Sequence, residues 1–327
     1  MTVVVLARDL NPTADRLVTT LTDRGVPVFR TDLAALPQAL TVDARFGRHG
    51  WDGVLATEHR EVRLSDIHSV CYRHPSYFEL PDGMSVTERR HASAEARCGF
   101  GGVLSSLDVL WVNHPSRESD ALKPRQLDVA RRCGLRVPDS QVTNRPDGVR
   151  EFAKNLGVAL ACKTLSGALR AESGRLQMAY TRRLEPSELT DLDGVDTTLH
   201  FFQEWIGDKA FEVRATVVGD QVFAAAIHAN SEAGRVDWRA DYDALTYAIV
   251  EPPEHVTAGM RAFLRTFGLA FGAFDFAVTS DNEWIMFECN PAGQYGWLED
   301  ALDLPITSAL ADLLTNGTRL CSPTLPS

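Results

Sequence analysis

The sequence predicts an α/β protein in which α+β lobes follow an N-terminal βαβ unit. Three patterns carry that expectation. The chain opens on a strand-length apolar run at residues 3–7, then a helix start at Asn11-Pro12-Thr13 and a returning strand at residues 26–29. Helices and strands continue to alternate through the middle of the chain, and strands dominate from about residue 199 onward. Near the C-terminal end, the apolar segments 274–278 and 284–291 flank a polar turn, Thr279-Ser280-Asp281-Asn282-Glu283, as two paired strands would.

The elements follow in order. In the first helix Leu17, Val18 and Leu21 form the apolar stripe and Gly25 closes it. No GxGxxG follows the first strand, so a dinucleotide fingerprint is absent. Hairpin-like strands are expected at 40–46 and 61–64, a further strand at 69–73, a long helix at 86–107 and a short strand at 109–112. Asn113-His114-Pro115 marks a boundary, because proline breaks pairing and restricts the residue before it. Beyond it come a helix at 123–133 closed by Gly134, a strand near Gln141, a helix at 147–155 and a strand at 158–164. That strand runs into a small, polar loop at 165–174. Strands at 199–206, 212–218, 221–228 and 245–250 follow, the middle two joined tightly by Gly219-Asp220. A helix at 254–267 precedes the last two strands, a closing helix covers 298–313, and the tail after Thr318 frays.

Bulk composition narrows the function. A length of 327 residues allows two or three lobes with substantial cores. The net charge of −11 argues against a nucleic-acid binder, which needs clustered Lys and Arg, but leaves room for a locally basic site. Six cysteines without CxxC spacing favour buried free thiols over a zinc site or a disulfide framework. The first strand has no basic flank of a signal peptide, and no apolar run approaches the roughly 18 residues of a membrane span. A cytoplasmic enzyme is the expectation.

Asp275 on one late strand, with Glu288 and Asn290 at i and i+2 of the other, can converge on one point. Three hard oxygen ligands on apolar strands need partners, and Mg²⁺ with substrate phosphates suits them. Lys163 ends an apolar strand before the small loop, where it either contacts a triphosphate or points into water. Lys123 opens a helix against its dipole, which suits an anionic ligand or an ordinary surface lysine. Gln203-Glu204-Trp205-Ile206 either holds an adenine by backbone groups and a ribose by a carboxylate, or is a strand leaving the core. Glu212 and Arg214 share a strand face and Arg239 follows a loop. The arginines suit a transferring phosphoryl group, or else surface ion pairs.

In this order the pieces resemble the ATP-grasp superfamily over residues 113–315: Lys123 with its helix, Val137-Pro138, Lys163, residues 203–206, Glu212-Val213-Arg214, Asp275 and Glu288-Cys289-Asn290-Pro291. Within it the chain is similar to the graspetide (microviridin-type) macrocyclising ligases. Tyr72-Arg73-His74-Pro75 is similar to their aromatic-Arg-Arg-Pro segment, with His74 in place of the second arginine, and Glu212 to Arg214 matches a Glu-x-Arg. The resemblance implies an ATP-grasp fold divided into a pre-ATP-grasp domain (1–113), a central lobe (114–197), a C-terminal lobe with the metal site (198–320) and a tail (321–327). It implies ATP on Lys123, Lys163 and residues 203–206, and Mg²⁺ on Asp275, Glu288 and Asn290. Arg214 and Arg239, with Glu212, would serve an acyl phosphate formed on a carboxylate of a ribosomal precursor peptide. A Ser, Thr or Lys side chain of that peptide would then close an ester or amide ring. A leader peptide near the 212–228 hairpin and a homodimer are further implications. The alternatives are an ATP-grasp ligase for another acceptor, such as a glutamate-adding or dipeptide ligase, and an ATP-binding protein without catalysis.

Overall fold

A computed structural model of the chain describes residues 1–166, 169–170, 176–177 and 181–317. The tail expected at 321–327, with Cys321, and most of the small loop lie outside the described residues. The chain begins with β1 (Thr2–Ala7), α1 (Pro12–Asp23) and β2 (Val28–Thr31), as the apolar pattern predicts. Asn11 caps α1 by accepting the Ala14 N–H at 3.1 Å, and Pro12 sits where a missing N–H costs nothing. A small sheet follows, β3 (Leu40–Gly47), β4 (Gly50–Thr57) and β5 (Glu61–Arg63), and then β6 (Ile67–Arg73), α2 (Val86–Ser105) and β7 (Leu110–Val112). Strand β4 was not expected from the sequence, because Gly50 and Gly53 interrupt its alternation. Gly53 is required: at φ 150° a Cβ there would meet the Asp43 carbonyl at 2.0 Å.

Strands β2-β1-β6-β7 form one parallel sheet buried on both faces. The unbroken apolar run of β1 has that origin. Val3, Val5 and Ala7 face a core shared with C-terminal helices, while Val4 and Leu6 face α2 and the small sheet.

The middle of the chain supplies α3 (Pro115–Asp120), α4 (Lys123–Arg132), β8 (Ser140–Thr143), α5 (Pro146–Leu156) and β9 (Leu160–Lys163). The short strands β10 (Leu169–Arg170), β11 (Leu176–Gln177) and β12 (Arg182–Leu184) and then β13 (His200–Glu204) complete it. Here β12-β9-β13-β8 make an antiparallel sheet backed by α5. Strand β10, inside the 165–174 stretch read as loop, pairs with β11 just beyond it.

The last part holds β14 (Lys209–Val218), β15 (Gln221–Ala229), α6 (Glu232–Val236), β16 (Leu245–Ile249), α7 (Glu254–Phe267), β17 (Phe271–Thr279) and β18 (Trp284–Asn290). Helices α8 (Gly296–Leu302) and α9 (Ile306–Asn316) close the described chain. The sequence predicts one closing helix over 298–313; Asp303 at φ 53° and Pro305 divide it into two. The five-stranded sheet runs β16-β15-β14-β17-β18, and its alternation sorts side chains sharply. Val213, Ala215 and Val217 with Phe274, Phe276 and Val278 pack under α7. Their alternates, among them Glu212, Arg214 and Asp275, point to the other face. At about 25 cal/mol per Å², each buried Phe of that layer contributes on the order of 2 kcal/mol of transfer free energy.

Asn113 joins the two ends of the molecule. Its amide nitrogen donates to the Phe271 and Pro291 carbonyls at 2.9 and 2.7 Å, and its oxygen accepts from the Ala270 and Phe271 amides at 2.8 and 3.1 Å. Among the described residues no helix is long and apolar enough to cross a membrane.

Candidate active site

The register of three strands builds the site. Arg214 of β14 stands opposite Asp275 of β17, which stands opposite Glu288 of β18, so a cation and two carboxylates form one row across the sheet. A bulge makes this possible: Asp275 pairs with Glu288 but Phe276 pairs with Met286, leaving Phe287 as the extra residue. Phe287 and Glu288, although consecutive, therefore both line the cleft. Asn290 follows on the same side and its amide donates to Asp275 Oδ2 at 3.4 Å.

Helix α4 reaches the row from the side. Lys123 at its first turn donates to the Thr164 carbonyl at 2.8 Å and pairs with Glu288 at 3.1 Å. One turn on, Gln126 is buried against the outer edge of β18. Its amide nitrogen donates to the Cys289 carbonyl at 2.9 Å, and its oxygen accepts from the Cys289 N–H at 2.7 Å. Gln126 thus completes an edge strand between the two candidate ligands Glu288 and Asn290. Sequence reasoning passed over it; the available signal was a glutamine beside Val129 and Ala130 on the helix's buried stripe.

These groups line a cleft of about 480 Å³ between the β9–β13 sheet and the five-stranded sheet. Lys163 lies over the Phe287 ring at 4.1 Å. Burial lowers its ammonium to about 8, more than the nearby Glu288 and Glu212 charges restore. Among the described residues it has no carboxylate within salt-bridge distance, which leaves it ready for an anion. Asp275 and Glu288 titrate apart. Burial and the Glu288 charge lift Asp275 to about 6 against the pull of Arg214, 3.0 Å away. Burial would raise Glu288 as well, but Lys123, Lys163 and Arg239 together hold it below the usual carboxylate range.

Arg239 lies 4.0 Å from Glu288 and is held by two contacts to Asp237, at 2.8 and 3.0 Å. Asp237 also accepts the Thr181 N–H at 3.0 Å. Glu212 is paired with Lys209. Asp237 and Lys209 line the cleft and were missed, since neither falls in a recognisable spacing.

The segment 203–206 divides. Glu204, Trp205 and Ile206 line the cleft, whereas Gln203 is buried away from it and donates to Ser140 Oγ at 2.9 Å. The N–H groups of Glu204 and Trp205 already donate to the Asp139 and Ala159 carbonyls, so neither is available to a base edge. Arg214 is buried under Trp238 and turned to Asp275. Nor does Arg73 reach outward. It donates to the Gly293 carbonyl at 3.1 Å and lies over the Phe271 and Tyr295 rings. His74 donates to the Ala292 carbonyl at 2.6 Å. The Tyr-Arg-His-Pro segment therefore braces the loop that follows Asn290.

A parallel-sheet domain followed by two lobes around a basic and acidic cleft, with a carboxylate pair on its floor, is the architecture of an ATP-grasp fold. Residues 3–119 match the family model of the MvdD pre-ATP grasp domain. The macrocyclase MdnC of Microcystis aeruginosa MRC, solved with precursor peptide MdnA, superposes at TM-score 0.83 with 29% identity, over 97% of this chain and 100% of that one. A RiPP-associated ATP-grasp ligase of Chryseobacterium gregarium, solved with ADP and a leader and core peptide, gives 0.87 and 25%, over 99% of each chain. Macrocyclase MdnB of Microcystis aeruginosa MRC gives 0.78 and 28%, over 97% of this chain and 99% of that one. No curated protein matches the chain. The chain has an ATP-grasp fold whose residues 3–119 match the MvdD pre-ATP grasp domain, and its structural neighbours, ATP-grasp ligases and macrocyclases, support an ATP-dependent ligase.

Proposed function

We propose that this ligase activates Asp or Glu side chains of a ribosomal precursor peptide as acyl phosphates and closes them into rings. The ring bond is an ester with Ser or Thr, or an amide with Lys. The observation that carries this reading is Lys163, a cleft cation beside the Asp275–Glu288 pair that has no carboxylate partner among the described residues. A triphosphate between the 114–197 and 198–320 lobes supplies the missing anion, with Lys123 as a second contact. Glu204, Trp205 and Ile206 border its nucleoside end.

Asp275, Glu288 and Asn290 fit Mg²⁺. Asp275 Oδ1 is buried and receives no hydrogen bond, although Arg214 lies 3.0 Å away. Among the described residues no group of three or more His, Cys, Asp or Glu could hold a metal alone. Phosphate oxygens would therefore complete the shell, as is usual for this ion. When bound, it neutralises charge on the phosphates and polarises them.

The chain's own residues do the rest. Lys123 and Lys163 orient the phosphates, and Arg239, fixed by Asp237, offers a rigid donor fork toward the acyl phosphate. Arg214 sets the charge of Asp275, and Glu212 holds Lys209 in the wall. No covalent enzyme intermediate is needed; positioning and charge neutralisation lower the barrier. The enzyme is read as a cytoplasmic homodimer by its resemblance to the graspetide ligases, and analytical ultracentrifugation checks the dimer.

Two measurements test the reading. Incubation with a short peptide encoded beside this gene, ATP and Mg²⁺ should yield a peptide lighter by one water per ring. A peptide that keeps its full mass, while a free amino acid supports ADP formation, would move the enzyme to the ligases of small acceptors. The second test is a pH profile. A bound triphosphate raises the pKa of Lys163, so ATP binding takes up a proton and weakens as pH rises through about 8. Lys163→Arg should keep the charge and flatten that rise in the KM for ATP; an unaltered profile removes Lys163 from the phosphates.

A further inference from the structure

Among the described residues six carboxylates line the cleft, and five of them have a cation within 4.0 Å. Among the described residues Glu118 has none. It sits on α3, the short helix between β7 and α4, and lines the same cleft as Asp275, Glu288 and Asn290. Its Oε1 is buried and accepts no hydrogen bond. The groups that face it are Arg73, Cys71 and Tyr72 from β6 and the amide of Asn113. Arg73 is turned to the Gly293 carbonyl and to two aromatic rings, so it does not close on the carboxylate. Burial lifts the Glu118 carboxyl to about 7, against the opposing pull of Arg73 and Asn113.

A carboxylate left without a cation, in a cleft where the others have one, is poised to take a proton. Resting on the ligase reading above, we propose that Glu118 is the base that receives the proton of the acceptor hydroxyl or amine. As the acceptor oxygen or nitrogen attacks the acyl carbon, its proton passes to the Glu118 carboxylate and the new C–O or C–N bond forms. The bond from the acyl carbon to the phosphate oxygen breaks, and inorganic phosphate leaves with the electron pair. The protonated Glu118 then returns its proton to solvent. A base whose pKa lies near neutrality suits this task, because at neutral pH it is ionised yet still proton-hungry.

The test separates the two half-reactions with precursor peptide, ATP and Mg²⁺. Hydroxylamine traps the acyl phosphate as a hydroxamate without needing the base, and mass loss reports ring closure. In Glu118→Gln the ratio of ring closure to hydroxamate formation should fall roughly 10²- to 10⁴-fold, with partial recovery in Glu118→Asp. In the wild type that ratio should decline as pH drops below about 7, while in the Gln variant it stays flat. Rings that close in the Gln variant at the wild-type ratio overturn the assignment. So does a parallel loss of hydroxamate and rings, which would make Glu118 structural. Wild-type enzyme that yields neither product overturns the ligase reading, and this assignment with it.

Discussion

Glu288→Gln should cut ADP formation on the order of 10³-fold while leaving the fold in place. The substitution keeps the shape of the side chain and removes one negative charge from the row Arg214–Asp275–Glu288. Lys123 would lose its carboxylate at 3.1 Å but keep the Thr164 carbonyl, and Arg239 would keep Asp237. For that reason thermal unfolding should shift by only a few degrees near neutral pH. The sign of the pH effect follows from the cations around Glu288, which hold its folded pKa below the ordinary range. Its contribution to stability is present above the ordinary carboxylate pKa and is lost as pH falls through the depressed one. The wild type should lose that increment on acidification and the Gln variant should not. Turnover equal to the wild type would take Glu288 out of the site.

The second large effect belongs to Asn113, outside the chemistry. Replacement by Ala leaves two buried N–H groups and two carbonyls, at residues 270, 271 and 291, without the partner that serves all four. At about 1 kcal/mol or more for each unpaired group, the loss should reach roughly 3–4 kcal/mol. The thermal midpoint should fall by roughly 5 °C. ADP formation should fall with it, because the Pro291 carbonyl that Asn113 holds directly follows Asn290. A midpoint within about 2 °C of the wild type would show that those groups find other partners.

Most of the secondary structure was legible because it is local. Strand-length apolar runs marked β14, β15 and β17, and the helix read at 254–267 matches α7 at its observed bounds. The elements that escaped were those where a backbone exception overrides the pattern. Gly53 conceals β4, and Asp303 with Pro305 splits the last helix. Lys123, Lys163, Arg239, Asp275, Glu288 and Asn290 could be nominated from residue type and spacing, and the structure brings all six into one cleft. Gln203 could not be told from its neighbours, because the direction of a strand-end side chain depends on the strand beside it.

The sequence by itself determined the chain of elements, the charged groups available to a cleft and the ATP-grasp resemblance, since each depends on residues close together along the chain. Only the tertiary structure decided how Asp275 and Glu288 face each other. Simple alternation through Ile285 and Phe287 would turn Glu288 to the opposite face, and the bulge at Phe287 restores it. The same holds for Gln126 on the edge of β18, Arg73 beneath the loop after Asn290, and Glu118 without a cation. Their roles come from partners 163 and 220 residues away or, for Glu118, from the lack of one among the described residues, and no local pattern encodes a distance of that kind.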